Sequence, residues 1–288
     1  MGPNTVVIYH ADCTDGFCAA WIIRRAFPGE DMGFVAAHYG DTPPDVTGKN
    51  VIIVDFSYPR EVLLKMKGQA TRLLVYDHHK TAQKDLEGLD FCVFDMNKSG
   101  AGLAHYHVVG VSHPSSWIID AVEDNDLWKF QRPYTKEIVA ALRSIPQTFE
   151  EWSRFETRGR EVAIEQGKVI LAFQKEQVYR ALRTKIHRFI GVVEVPTVNS
   201  CLFQSEIGHE LLKIHPNAPF SAVWYDNGEN AYVFSLRSED SRMDVSLVAK
   251  CFGGGGHRNS AGFTAFYDPI EGANLIAALA YTNSTFGK

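Results

Sequence analysis

Leu73-Leu74-Val75-Tyr76-Asp77-His78-His79 is the stretch on which the reading turns: a short apolar run that stops at one carboxylate and two imidazoles. Two earlier runs end in the same way. Val6-Val7-Ile8-Tyr9 leads into His10, Asp12 and Asp15, and Val51-Ile52-Ile53-Val54 leads into Asp55. Runs rich in β-branched and aromatic residues, separated by helix-length segments, read as buried parallel strands. In an open α/β sheet, ligands bind in the crevice beyond the carboxyl ends of the strands. Carboxylates and imidazoles gathered at three such ends suit one or two divalent cations, and the pattern reads as a metal-dependent hydrolase. A lone Asp after a strand is ordinarily a turn or cap residue; with the other two clusters in register, Asp55 reads as a ligand.

Outward from these clusters, the first half alternates strand and helix signals. Residues 17–27 carry apolar side chains at helical spacing and stop at Pro28-Gly29; residues 59–67 read as a second short helix with Pro at its start and Gly68 behind it. Phe91-Cys92-Val93-Phe94 is a fourth strand reaching Asp95. Ser99 caps a helix running through Leu103 and His107, and Ser115 caps another that ends in Glu123-Asp124-Asn125-Asp126-Leu127-Trp128. Residues 150–188 turn to long charged side chains with few breakers, and Trp152, Phe155, Val162, Ile170, Phe173 and Val178 keep a rough helical period. This stretch reads as helices joining two domains, with Arg183, Lys185, His187 and Arg188 on a solvated helix face. Trp128 and Trp152 read as packing residues. β Character returns over 191–198, residues 207–214 are helical, and Ala222-Val223-Trp224-Tyr225 pairs with 231–236 across the Asp226-Asn227-Gly228 turn. The glycine run 253–256 precedes His257 and a last strand. The expected architecture is α/β: an N-terminal parallel-sheet catalytic domain over 1–150, a helical connector over 151–189, and a smaller C-terminal α/β substrate-binding domain over 190–288.

A chain of 288 residues with 45% hydrophobic content is long for one domain, which supports that division. Its net charge of −5 gives no global basic field, so duplex DNA is not an expected partner. A small anionic substrate would be held by local cations. Five scattered cysteines with no C-x-x-C pair suit a reducing compartment. No basic-then-apolar segment opens the chain, and the apolar stretch 273–281 is too short to span a bilayer. The expectation is a cytoplasmic protein with no membrane partner; a homodimer is left open.

Oxygen and imidazole donors with no thiolate among them suit Mn²⁺ or Mg²⁺ better than a soft-ligand metal, with Co²⁺ or Zn²⁺ as further alternatives. Two cations about 3.5–4 Å apart can generate a hydroxide from water and clamp both oxygens of an in-line displacement at phosphorus. Such a centre needs a bridging carboxylate, and Asp55 at the end of the central strand is the natural one.

Taken in order, these motifs resemble the DHH phosphoesterase superfamily. Asp77-His78-His79 follows a strand, the His/Asp cluster and the lone Asp55 precede it, and Gly253-Gly254-Gly255-Gly256-His257 with Ser260-Ala261-Gly262-Phe263 is similar to the glycine-rich signature of the DHH-associated domain. Tyr9-His10-x-x-Cys13-Thr14-Asp15-Gly16-Phe17 is most similar to the oligoribonuclease-like or exopolyphosphatase-like branch. The resemblance implies a centre of two Mn²⁺ ions. His10 and Asp55 would bind one, and Asp15, Asp55, His78 and an acid of the 123–128 segment, preferably Asp124 over Asp126, the other. His79 would face the substrate phosphate and Asp77 would orient the imidazoles. Gly254, Gly255, Gly256, His257 and Arg237 would contact a distal phosphate. Many members space the first cluster as H-x-x-x-D-x-D or H-x-D-x-D, whereas here it runs His10-x-Asp12-x-x-Asp15: one carboxylate is displaced or replaced, and Asp12 either ligates the first metal or faces solvent.

The implied function is a phosphodiesterase that hydrolyses short oligoribonucleotides or related small nucleotides: linear or cyclic dinucleotides, or nucleoside bisphosphates. Two rivals are an inorganic polyphosphatase or pyrophosphatase with the same metal chemistry, and a nucleotide-binding regulatory module without turnover.

Overall fold

The computed structural model describes residues 4–113 and 115–266; the apolar stretch 273–281 lies outside them. The chain divides into two compact units, Met1–Leu171 and Ala172–Lys288.

The first unit is built on five parallel strands: β1 (Thr5–His10), β2 (Met32–Ala37), β3 (Asn50–Val54), β4 (Arg72–Asp77) and β5 (Cys92–Phe94), in the order β2-β1-β3-β4-β5. Four of them are the apolar runs of the sequence. The fifth, β2, escaped notice because Met32-Gly33-Phe34-Val35-Ala36-Ala37 is a half-buried edge strand interrupted by glycine. Its presence has a consequence: the chain moves from β1 to one side, then returns for β3 on the other, so the order reverses between β1 and β3. Such a switch point leaves a crevice beyond the strand ends.

Side-chain alternation sends Val7 and Tyr9 of β1 to one face and Val6 and Ile8 to the other. The first face packs α1 (Thr14–Ala26), α4 (Gly100–Ala104), α5 (Trp117–Asp126) and α7 (Phe149–Arg158) around Trp21, Leu103, Ile118, Trp152 and Phe155. The second packs α2 (Arg60–Gln69) through Leu63 and Met66 against Ile8, Ile53 and Leu73. Each fully buried side chain of this kind contributes about 1.5–3 kcal/mol. The short α3 (Lys80–Asp85) follows β4. Ser99 caps α4 as expected, but α4 runs into a π-helical turn over His105–Val109, and Ser116 rather than Ser115 caps α5. A helix unseen in the sequence, α6 (Thr135–Arg143), precedes α7, and α8 (Arg160–Leu182) follows it. Trp152 is core, but Trp128 is 56% exposed, with φ 54°, beside Phe130.

The second unit carries a six-stranded mixed sheet, β10-β11-β9-β8-β7-β6, made of β6 (Ile186–Ile190), β7 (Val193–Asn199), β8 (Ser221–Asp226), β9 (Ala231–Arg237), β10 (Gly255–His257) and β11 (Ser260–Phe266). The basic group at 183–188 is therefore not a helix face: α8 ends at Leu182, and His187 and Arg188 lie on β6, hairpinned to β7 through Gly191 at φ 61°. Helix α9 (Gln204–Ile214) covers one face with Ile207 and Leu211 against Val223. Helix α10 (Val245–Cys251), also unseen in the sequence, covers the other with Val245 and Ala249 against Leu236 and Phe263. Among the described residues, no helix is long and apolar enough to cross a membrane.

Candidate metal centre

The carboxyl ends of β1, β3 and β4 converge at the reversal of strand order. Asp55 is the hub. It follows β3 in the left-handed region, φ 55°, where its N–H donates to Tyr76 O at 2.9 Å, and its side chain is 1% exposed. Asp55 Oδ1 lies 3.0 Å from His78 Nε2, and Oδ2 lies 3.6 Å from His10 Nδ1. Asp15, in the first turn of α1, sits 3.8 Å from the same His78 nitrogen and accepts the Gly100 and Ala101 N–H groups at the start of α4. Asp126, at the end of α5, closes the group at 3.5 Å from His78 Nε2. Gly100 makes this packing feasible: a Cβ there would lie 2.2 Å from that of Asp55.

Asp77 is fully buried. Its Oδ1 accepts the His78 N–H at 2.7 Å and the His79 N–H at 3.1 Å and bonds His79 Nδ1 at 2.6 Å. It thus fixes the backbone and ring of the histidines that follow it. The His79 ring stands 6.0 Å from His10 and 4.8 Å from His78.

Two sequence candidates are placed elsewhere. Asp12 has φ 51° and a side chain 91% exposed, engaged with His38 Nε2 at 3.1 Å. Asp124, preferred over Asp126 from the sequence, is turned away from the cluster. Its carboxylate accepts N–H groups of Gln131 at 2.9 Å and Arg132 at 3.1 Å and the Thr135 hydroxyl, so it organises the loop into α6. Residues 124 and 126 lie about 200° apart around a helix of 3.6 residues per turn. Only one of them can look at β3 and β4. The signal that could have chosen is Thr135 eleven residues on, but α6 itself was not visible.

The electrostatics suit a cation. Burial, then the charges of Asp55 and Asp126, raise Asp15 well above the carboxylate range. Burial and Asp55 likewise push Asp126 up to about 6. Burial opposes ionisation of Asp55, yet the neighbouring imidazoles of His10 and His78 hold it below the usual range. Burial would lower His78, but the hydrogen bond and charge of Asp55, with Asp126 and Asp15, push it up to about 10. Asp124, by contrast, is held low: its hydrogen bonds from Thr135, Gln131 and Arg132 outweigh burial. Three carboxylates around one imidazole are a surplus of negative charge that a divalent ion would neutralise. His10 Nδ1, buried without a hydrogen-bond partner, is a donor atom of the same kind. Asp15, His78 and Asp126 each offer an atom within 4.8 Å of the others, as do Asp55, His78 and His79. The residues fit a divalent metal.

In the second unit, register places His257 opposite Ser260 and Ser260 opposite Arg237, on one face of the sheet. The Arg237 guanidinium already donates to Ser205 Oγ, Ser235 Oγ at 2.9 Å and Leu236 O at 2.8 Å. Gly254 and Gly256 press against β11, whereas nothing lies within 4 Å of a Cβ at Gly255. His209 on α9 was missed from the sequence; burial and then Arg237 hold it below the usual histidine range.

A parallel sheet whose carboxylates and imidazoles meet at its switch point, followed by a mixed-sheet unit with a glycine-rich hairpin, defines the class. No family model matches the chain. It is 31% identical over 280 residues to an uncharacterised protein of Acanthamoeba polyphaga mimivirus, covering 89% of this chain and 66% of that protein, just under two thirds of its length. Among solved structures, a pGpG-specific phosphodiesterase from Vibrio cholerae superposes with a TM-score of 0.52 at 16% identity, over 96% of this chain and 98% of that one. The exonuclease RecJ bound to manganese gives 0.54 at 14% identity, over 96% and 89%. An exopolyphosphatase-related protein from Bacteroides fragilis gives 0.50 at 13%, over 95% and 90%. The chain shares the fold of these three proteins.

Proposed function

We propose that this protein is a divalent-metal-dependent phosphodiesterase acting on short oligoribonucleotides or related small nucleotides, with Mn²⁺ as the working ion. The observation that carries the reading is the meeting of His10, Asp15, Asp55, His78 and Asp126 at the strand-order reversal. Bound divalent ions supply an acidified water and charge neutralisation at phosphoryl oxygens. The protein's own groups do the rest. Asp55 lies between both histidines and is the carboxylate able to serve two cations. Asp77 holds the His79 ring; burial lowers that imidazole's proton affinity, but the bond and charge of Asp77 outweigh it and raise it. Held in this way, the His79 ring is placed to donate a hydrogen bond to a phosphoryl oxygen as charge develops on that oxygen. In the second unit, His257, Ser260 and the open backbone at Gly255 are the groups for a distal phosphate. A pGpG-specific phosphodiesterase and a manganese-bound exonuclease among the fold's neighbours support the chemistry.

The test is Mn²⁺-dependent turnover of 5′-labelled ribonucleotide dimers to pentamers, with products resolved by length. Mononucleotide release, fastest on dimers, is the expected result. Cleavage of polyphosphate with none of RNA would move the protein to the polyphosphatase class, and bound metal with no turnover of either would leave a regulatory module.

A further inference from the structure

One side chain at the centre is absent from the ligand set above. Cys13 is the N-cap of α1, in extended conformation, a position where Ser, Thr, Asp or Asn ordinarily accepts a helix N–H. Its Sγ makes no capping bond. It donates instead to Asp55 Oδ2 at 3.3 Å, the same oxygen that lies 3.6 Å from His10 Nδ1. That imidazole nitrogen is buried with no hydrogen-bond partner. His10, Cys13 and Asp55 each offer a donor atom within 4.8 Å of the others. Meanwhile Asp12, which would have kept the loop all-oxygen, points to solvent with His38. The displaced carboxylate of the first cluster is thus replaced, in space, by sulfur.

We propose that Cys13 is a thiolate ligand, so that the centre pairs a thiophilic site (His10, Cys13, Asp55) with a hard site (Asp15, His78, Asp126 and the shared Asp55). The inference rests on the two-cation reading of the preceding subsection. On loading, the thiol S–H bond breaks, its proton leaves to solvent, and its electron pair goes to the cation in place of the bond to Asp55. Coordination deprotonates a thiol outright. Sulfur favours Zn²⁺ or Co²⁺, whereas an oxygen and imidazole set accommodates Mn²⁺ or Mg²⁺. The two positions therefore select different ions, contrary to the thiolate-free centre expected from the sequence.

The experiment is Co²⁺ titration of the full chain, followed by absorption spectroscopy and metal counting. The expected result is a thiolate-to-cobalt charge-transfer band that saturates with one equivalent. Cys13→Ser should lose the band and that equivalent with unchanged circular dichroism, while Cys201→Ser, at an exposed thiol, should keep both. Cys13→Asp, which guards against a misfolded serine variant, should restore the equivalent without the band and shift Zn²⁺/Mn²⁺ competition toward Mn²⁺. Cobalt bound with no thiolate band, or a band that survives in both Cys13 variants, overturns the ligand assignment and leaves the metal centre standing. No cobalt bound at all overturns both readings.

Discussion

The two units place their chemistry-bearing residues by opposite means. In the first, side chains at the ends of β1, β3 and β4 gather around Asp55, and glycine serves them by clearing space, as Gly100 does. In the second, the sequence cue is the glycine run itself, and its members differ. Gly256 has φ 137° and a Cβ there would meet Ala261 Cα at 2.6 Å; at Gly254 it would meet Gly262 O at 2.1 Å; at Gly255 it meets nothing. Arg237, the obvious cation beside that run, is already engaged with two serines and a carbonyl. A strand-end site is thus carried by side chains that secondary structure aims. A site at the glycine hairpin would rest on backbone, most of which is needed for the hairpin.

The largest expected effect breaks the first half of that comparison. Asp55→Ala removes the carboxylate shared by His10 and His78 and should abolish both Mn²⁺ uptake, measured by calorimetry, and turnover. Full Mn²⁺-dependent turnover in that variant would mean that the strand ends are not where the metal sits. Next comes a pair two residues apart. Asp126→Asn should weaken Mn²⁺ binding severely with little change in melting temperature. Asp124→Asn should leave Mn²⁺ affinity intact and lower stability by about 1–3 kcal/mol, because the part-buried N–H groups of Gln131 and Arg132 and the buried Thr135 hydroxyl lose their charged acceptor. Urea unfolding and calorimetry on both variants read this exchange of roles; the reverse pattern would restore Asp124 as the ligand.

The choice between these two acids shows where the sequence stops being legible. His10, Asp15, Asp55, Asp77, His78 and His79 were readable because each lies at or just beyond an apolar run of strand length, and parallel strands bring their carboxyl ends to one side. Choosing between Asp124 and Asp126 needs the rotation of α5 and the loop into α6, and α6 was invisible because nothing in 129–134 reads as a cap; its N-cap, Tyr134, is left-handed. β2 was missed for a related reason: an edge strand needs only half-burial, so its pattern is weak. Cys13 does not stand out by residue type among carboxylates and imidazoles, and only the turn into α1 brings its sulfur to Asp55.

A smaller effect sharpens the second half of the comparison. Gly256→Ala should destabilise the protein by about 1–3 kcal/mol, since its left-handed backbone and the approach of β11 both oppose a side chain. Gly255→Ala should change stability by less than about 0.5 kcal/mol. If the hairpin backbone binds a distal phosphate, Gly255→Ala should nonetheless raise KM for a dinucleotide at unchanged kcat. Equal loss of stability at both positions would mean that the whole run is structural.

The smallest expected effect is at Asp12. Its carboxylate is 91% exposed, its partner His38 is also exposed, and φ of 51° directs it away from Asp55. An exposed ion pair of this sort stabilises little, because solvent screens it and two mobile side chains must be held together. Asp12→Ala should therefore leave melting temperature, Mn²⁺ stoichiometry and turnover at wild-type values. The comparison gives this near-null variant its weight: a strand-end site depends on which residues the turn aims inward, not on which acids lie nearby in sequence. If Asp12→Ala lost one equivalent of metal, the β1–α1 turn would have to close on the ion by rotating Asp12 inward. Carboxylate would then replace sulfur in the first coordination set, and the contrast between the two cation positions would disappear with it.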